Sequence, residues 1–180
     1  MEPVIATWPP GPAPGPGTAR RLAAAAAFAG LVTGASAIGG AASRAGSRRP
    51  WYALLRKPAA QPPRAAFGPV WTALYASMAW SAYRVWRSTR PGRGAALALW
   101  GTQLALNASW SPLFFGARRP RAALAVVGAL VPAVGAYALA ARRVDRGAAA
   151  LVVPYLAWSA FAVYLGAGVV RANARTLARR

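Results

Sequence analysis

Arginine clusters divide this chain into five long apolar stretches. Leu22–Ser43, Ala65–Tyr83, Gly94–Ala117, Ala122–Ala141 and Gly147–Val170 contain no charged residue. A helix rises about 1.5 Å per residue, so roughly 20 residues cross about 30 Å of hydrocarbon. The pattern predicts an all-α integral membrane bundle of five transmembrane helices. The stretches rich in alanine and glycine, the first and fourth, are the weakest spans by this criterion. Helix punctuation agrees with the division. Pro58, Pro62 and Pro63 exclude a long helix from the first connection, Pro91-Gly92 marks a tight turn, and Pro112 ends or kinks the third helix. Pro132 is expected to bend the fourth helix, and the fifth begins near Ala148.

Residues 1–19, rich in proline and glycine, read as a disordered tail, residues 20–173 as the membrane domain, and 174–180 as a basic C-terminal tail. Arg20-Arg21 followed by alanines imitates a signal peptide, with small residues near Ala35 and Ala37 suited to cleavage. A first membrane helix is the preferred reading. An odd number of spans places the termini on opposite sides, and the arginine distribution puts the C-terminus in the cytoplasm.

Composition narrows the chemistry. Twenty-two basic residues stand against two acids in 180 residues, a formal charge of +20. Basic groups placed between apolar stretches address lipid headgroups, so a lipid bilayer is the expected partner and nucleic acid is not. The chain has no cysteine and no histidine. Disulfides, thiol catalysis and a protein-built metal site are therefore excluded or without material, and no resident cofactor is expected. Asp145 is expected in a local salt link with an arginine of its own loop.

The groups that remain are amides and aromatics. Gln103 and Asn107 lie one turn apart on the third helix, where hydrocarbon would leave their donors unpaired. They face either other helices, as hydrogen-bond partners, or a ligand, and the two roles are compatible. Trp71, Tyr75 and Met78 share one face of the second helix. Trp71 and Trp158 lie within their helices rather than at the ends. Indoles and tyrosines lining a cleft stack on a planar apolar ligand, and arginine at a rim pairs with its acidic groups. A tetrapyrrole with propionates has that profile.

Three ordered blocks carry a family resemblance. The first is Trp51-Tyr52, Leu55, Lys57-Pro58, Pro62-Pro63 and Phe67-Gly68-Pro69-Val70-Trp71-Thr72, with Leu74-Tyr75 and Val85-Trp86 beyond. The second is Gln103-Leu104, Leu106-Asn107 and Trp110-Ser111-Pro112-Leu113-Phe114-Phe115-Gly116. The third is Pro154-Tyr155-Leu156, Trp158, Phe161-Ala162 and Leu165, ending at Asn173. Over about residues 20–173 the chain resembles the tryptophan-rich sensory protein family, also called the translocator protein or peripheral benzodiazepine receptor family, in its bacterial form. The resemblance implies a five-helix bundle, a homodimer, a bacterial cell membrane, and a porphyrin partner such as protoporphyrin IX or haem. It implies a ligand cavity opening near the first loop, lined or bordered by Tyr52, Trp71, Asn107, Trp158 and Ala162, with Lys57, Gln103 and Trp110 as possible rim residues.

The implied function is porphyrin sensing, transport or regulation of tetrapyrrole metabolism. The alternatives are light-dependent protoporphyrin IX degradation, and a carrier or structural role without a porphyrin. Two departures bear on it. Ala59-Ala60-Gln61 replaces an interval that often holds tryptophan, and Leu165-Gly166 replaces a common Leu-Asn pair. The sterol-recognition pattern, Val163-Tyr164-Leu165 leading to Arg171, has too long a gap between tyrosine and arginine for the strict consensus.

Overall fold

Each apolar stretch becomes helical, and prolines set most of the boundaries. The computed structural model describes residues 17–175, so most of the N-terminal tail (1–16) and the end of the basic tail (176–180) lie outside the described residues. Helix α1 runs Thr18–Ser47. The short α2, Pro50–Leu54, opens on a proline whose missing N–H costs nothing in a first turn. After the Pro62-Pro63 pair come α3, Arg64–Arg87, and α4, Arg93–Ser111. Between these two, Gly92 adopts φ +86°, a left-handed conformation that favours glycine. Pro112 does end α4, and the chain continues as a π-helical turn over Pro112–Gly116. Then follow α5, Pro120–Val144, α6, Arg146–Leu151, and α7, Val153–Ala172. Pro132 lies on the exposed side of α5, and the helix continues through it.

Three helical segments are long and apolar enough to cross a membrane: Thr18–Ser47, Pro120–Val144 and Arg146–Ala172. The first and fourth stretches, ranked weakest from alanine content, are thus among the strongest. Alanine is only mildly apolar, but in α1 and α5 almost nothing polar dilutes it. The segments that fall short are α3 and α4, which carry Trp71, Tyr75, Gln103 and Asn107. The polarity that lowers their apparent membrane affinity is the polarity that builds the interior described below.

The core is organised on α5, which packs against α4 and α7. Val127, Leu130, Val134, Tyr137, Ala141 and Val144 recur at alternating steps of three and four, and all are buried. Met78, Ala82 and Val85 of α3 and Ala96, Trp100 and Leu104 of α4 join the same cluster. Trp100 satisfies its indole by donating to the Met78 carbonyl at 3.1 Å, and Phe28 of α1 meets its ring edge-to-face.

Where α5 gives way to α6, polar groups lock three helices together. Asp145 Oδ1 accepts the Ala148 N–H at 2.9 Å, capping α6. The same oxygen accepts Arg84 Nε and Nη2 from the end of α3, at 3.2 and 3.0 Å. The ion pair therefore reaches across the bundle to Arg84 and not to the arginines of its own loop. Beside it, Ser81 donates to the Ala148 carbonyl at 2.7 Å, leaving the Tyr137 hydroxyl to donate to Ser81 at 2.6 Å. A Cβ at Gly147 would lie 2.6 Å from Arg84 Nη2, so a larger residue there would push the guanidinium from its place beside Asp145.

Burial pushes the Asp145 carboxyl up, but the Ala148 amide and the Arg84 guanidinium outweigh it and hold the group below its ordinary value. Because the folded-state value is the lower one, the stabilisation is full above the unfolded carboxyl range, near pH 4. It disappears as pH falls through the folded value. The detergent-solubilised protein should lose melting temperature below about pH 4, whereas Asp145→Asn should start lower and respond less to acid. Asparagine still caps α6, so the loss is that of the part-exposed ion pair with Arg84, about 1 kcal/mol or less. Parallel melting curves at pH 3 and pH 6 make the comparison.

Candidate functional site: an aromatic cluster between α3 and α7

Trp71 sits in the first half of α3 and Trp158 in the first half of α7, each half-buried. Their rings meet edge-to-face, centroids 6.3 Å apart at 83°. Trp71 also stacks on Tyr75 at 5.3 Å, and Trp158 receives Phe67 at 5.9 Å and Phe161 at 5.8 Å. Residues four apart on α3 (Phe67, Trp71, Tyr75) thus present one aromatic stripe to a stripe on α7 three apart (Tyr155, Trp158, Phe161). Ala162, one turn beyond Trp158, is half-buried and packs against the same core.

Asn107 ties this cluster to α4. The Tyr75 hydroxyl donates to its Oδ1 at 2.6 Å, and its Nδ2 donates to the Tyr155 hydroxyl at 2.9 Å. One amide therefore fixes two phenols from two other helices. Tyr75 and Tyr155 were not singled out as site residues from sequence. Their signal lay in helical spacing from Trp71 and Trp158, but nothing in the sequence says that their hydroxyls converge on Asn107. Gln103, one turn earlier on α4, lies inside the bundle at 1% exposure rather than at an edge. Neither of its amide atoms has a hydrogen-bond partner.

A second cluster lies where the first loop meets the π-helical turn. Tyr52 packs against Phe114 and Phe115, and Trp51 meets Phe114 edge-to-face. Trp110 stacks on Phe114 at 5.2 Å and also packs against the main core of the bundle, so it ties this cluster to the helices. Gly46 of α1 packs so closely on Phe115 that no Cβ fits between them. Lys57 Nζ stands 4.4 Å over the Tyr52 ring, and the Arg64 guanidinium 5.9 Å over it. Gln61 donates to the Tyr52 hydroxyl at 3.3 Å. No acid pairs with these cations: the ion pair among the described residues is Arg84–Asp145. Their charge is open to an anionic group.

The loop is latched to the end of α7. The Arg56 N–H donates to Asn173 Oδ1 at 3.0 Å, and Asn173 Nδ2 donates to the Arg56 carbonyl at 2.8 Å. This double contact mimics backbone pairing and spans 117 residues of sequence. Pro58 rests on Gly168, where a Cβ would come within 2.6 Å of the ring. Asn173→Ala removes both bonds. Amide exchange at Arg56 should accelerate about tenfold, the equivalent of one or two modest hydrogen bonds, while amides in α5 keep their protection. Exchange at unaltered rates in Arg56 would mean that packing alone holds the loop.

The structure therefore links Trp71, Trp158 and Asn107 through Tyr75 and Tyr155, sets Ala162 one turn from Trp158, and gathers Tyr52 of α2, Lys57 of the following loop and Trp110 around the second cluster. The arrangement offers flat faces, one saturated amide–phenol network and a cationic edge. It has no histidine or cysteine with which to build a nucleophile–base pair.

Comparison with known proteins identifies the family. The sequence model described as TspO/MBR family matches residues 25–171. The chain is 42% identical to the translocator protein of Homo sapiens over 126 residues, 68% of this chain and 75% of that protein. It is 42% identical to the tryptophan-rich sensory protein of Cereibacter sphaeroides over 123 residues, 68% of this chain and 77% of that protein. Against the tryptophan-rich protein TspO of Archaeoglobus fulgidus, identity is 38% over 140 residues, covering 77% and 91%. With its apolar helices and this match over most of its length, the chain is an integral membrane protein and belongs to the TspO/MBR family.

Proposed function

We propose that this protein binds a planar tetrapyrrole, such as protoporphyrin IX or haem, against the Trp71–Trp158 cluster. The observation that carries the reading is the meeting of two half-buried indoles, with the cations Lys57 and Arg64 gathered over Tyr52 at the start of α3, one turn before the Phe67 that packs on Trp158. The macrocycle supplies a large apolar face for the indoles. Its propionates meet Lys57 and Arg64, whose charges lack acidic partners among the described residues. Asn107 holds Tyr75 and Tyr155 in place, so that the floor of the site is rigid.

The edge-to-face contact leaves no slot between parallel rings. A macrocycle inserted between the indoles has to part them, which sacrifices an aromatic pair worth roughly 1 kcal/mol. The larger stacking surface gained offsets that loss. In this reading α3 and α4 also cross the membrane, giving five spans with the C-terminus cytoplasmic, and two copies associate as a dimer. Ligand recognition of this kind serves sensing, transport or control of tetrapyrrole metabolism. The test is titration of the purified protein with protoporphyrin IX, followed by tryptophan emission and by the porphyrin absorption band. Saturable binding supports the proposal, and linear, non-saturating partition identical to that into empty micelles ends it.

A further inference from the structure

A groove lies away from the aromatic cluster, on the outer surface where α5 meets α6 and α7. It has a volume of about 390 Å³ and is bordered by Arg142 and Arg146. Its floor is apolar, made by Leu139, Val153 and the small residues Ala138, Ala149 and Ala150. Leu139 and Val153 are 65% and 56% exposed, so no part of the described chain covers them. We propose that this groove is a binding site for one anionic phospholipid, with the phosphodiester between Arg142 and Arg146 and the upper part of an acyl chain over Leu139 and Val153.

Three observations select that occupant. First, the groove sits at the junction of two segments apolar enough to span a membrane, Pro120–Val144 and Arg146–Ala172, so its arginines mark a membrane–water boundary. Second, the carboxylate nearest in sequence to these arginines is already engaged. Asp145 is held by Arg84 and by the Ala148 amide, and neither Arg142 nor Arg146 has an ion-pair partner among the described residues. With Arg143 also exposed, the local charge is strongly positive. A guanidinium donates to phosphate oxygens as a planar fork. A zwitterionic lipid would bring its own cation into the same field. Third, the alanines leave a shallow trough next to the backbone, and the apolar side chains below the arginines match a molecule that is anionic at one end and hydrocarbon at the other. Inorganic phosphate satisfies only the first half of that description.

The test uses the full chain in detergent, incubated with equimolar phosphatidylglycerol and phosphatidylcholine of identical acyl chains, with retained lipid counted by native mass spectrometry. The wild type should retain one phosphatidylglycerol in preference to phosphatidylcholine. Arg142→Gln/Arg146→Gln should weaken that retention about thirtyfold, the loss expected for two basic groups at a headgroup. Both side chains are exposed and make no hydrogen bond to the rest of the described chain, so the variant should fold, and an unchanged melting temperature verifies this. Arg118→Gln/Arg119→Gln, at the opposite end of α5, should leave retention unchanged. Inorganic phosphate at millimolar excess should not displace the lipid, and Leu139→Ser/Val153→Ser should weaken it with the arginines intact. Equal retention of both lipids, equal loss in the two arginine pairs, or displacement by phosphate would each overturn the proposal. So would a change of oligomeric state in Arg142→Gln/Arg146→Gln, which would assign the face to protein association.

Discussion

Protoporphyrin IX should bind Trp71→Leu/Trp158→Leu about a hundredfold more weakly than the wild type. Each indole contributes an aromatic contact worth about 0.5–1.5 kcal/mol beyond its buried area, and leucine also covers less of the macrocycle, so about 1.4 kcal/mol is lost per site. Two of them, at roughly 1.4 kcal/mol per decade, give two decades in Kd. Leucine keeps the site apolar, so the loss reports stacking rather than hydration. The single variants should not multiply to the double. The two rings touch each other at 6.3 Å, and removing either one also removes the contact that a bound macrocycle has to disrupt. Trp→Phe at either position retains a flat face and should recover most of the affinity. The porphyrin absorption band is the better readout here, since the substitutions delete two of eight emitting indoles. A double variant whose Kd stays within threefold of the wild type would place the ligand elsewhere.

The outline of this fold was legible because arginine and proline are unambiguous punctuation. The five uncharged stretches coincide with α1, α3, α4, α5 and the α6–α7 pair, and the Pro58–Pro63 connection is free of long helix. What sequence could not supply was the third dimension of the polar groups. Asp145 shares its loop with Arg142, Arg143 and Arg146, so proximity along the chain points to a local pair. The partner is Arg84 because α3 packs against α6 and the α6 cap orients the carboxylate toward it. The break at Val152, which divides the last span into α6 and α7, carries no proline of its own. Pro154 lies two residues later, at a first-turn position of α7, where it starts a helix instead of breaking one. The candidate site shows the same division. Trp71 and Trp158 stand out as large amphipathic rings within apolar helices. Tyr75, Tyr155 and Asn173 are ordinary residues in one dimension and become structural only through the hydrogen bonds that the fold gives them.

Asn107→Leu should be among the most destabilising single substitutions in the bundle. It removes the acceptor of the Tyr75 hydroxyl and the donor to Tyr155, and leaves two phenols in an interior that excludes water. An average interhelical side-chain hydrogen bond in a membrane is worth only about 0.6 kcal/mol, so two bonds alone predict little more than 1 kcal/mol. The asymmetry of burial raises that figure. An unsatisfied buried hydroxyl costs about 1–3 kcal/mol, and Tyr155 is fully buried with no alternative partner for its hydroxyl among the described residues. A total near 2–3 kcal/mol follows, which corresponds to a fall in melting temperature on the order of 5–10 °C for a domain of this size. Removing all the polar partners at once should be far gentler. Tyr75→Phe/Asn107→Leu/Tyr155→Phe leaves nothing unsatisfied, and should recover most of the melting temperature lost in Asn107→Leu. If the triple variant instead melts at or below the single one, the network stabilises through its bonds and not by avoiding buried orphans. If Asn107→Leu melts like the wild type, the amide is dispensable to the fold, and its position beside Trp71 and Trp158 is then explained by the ligand alone.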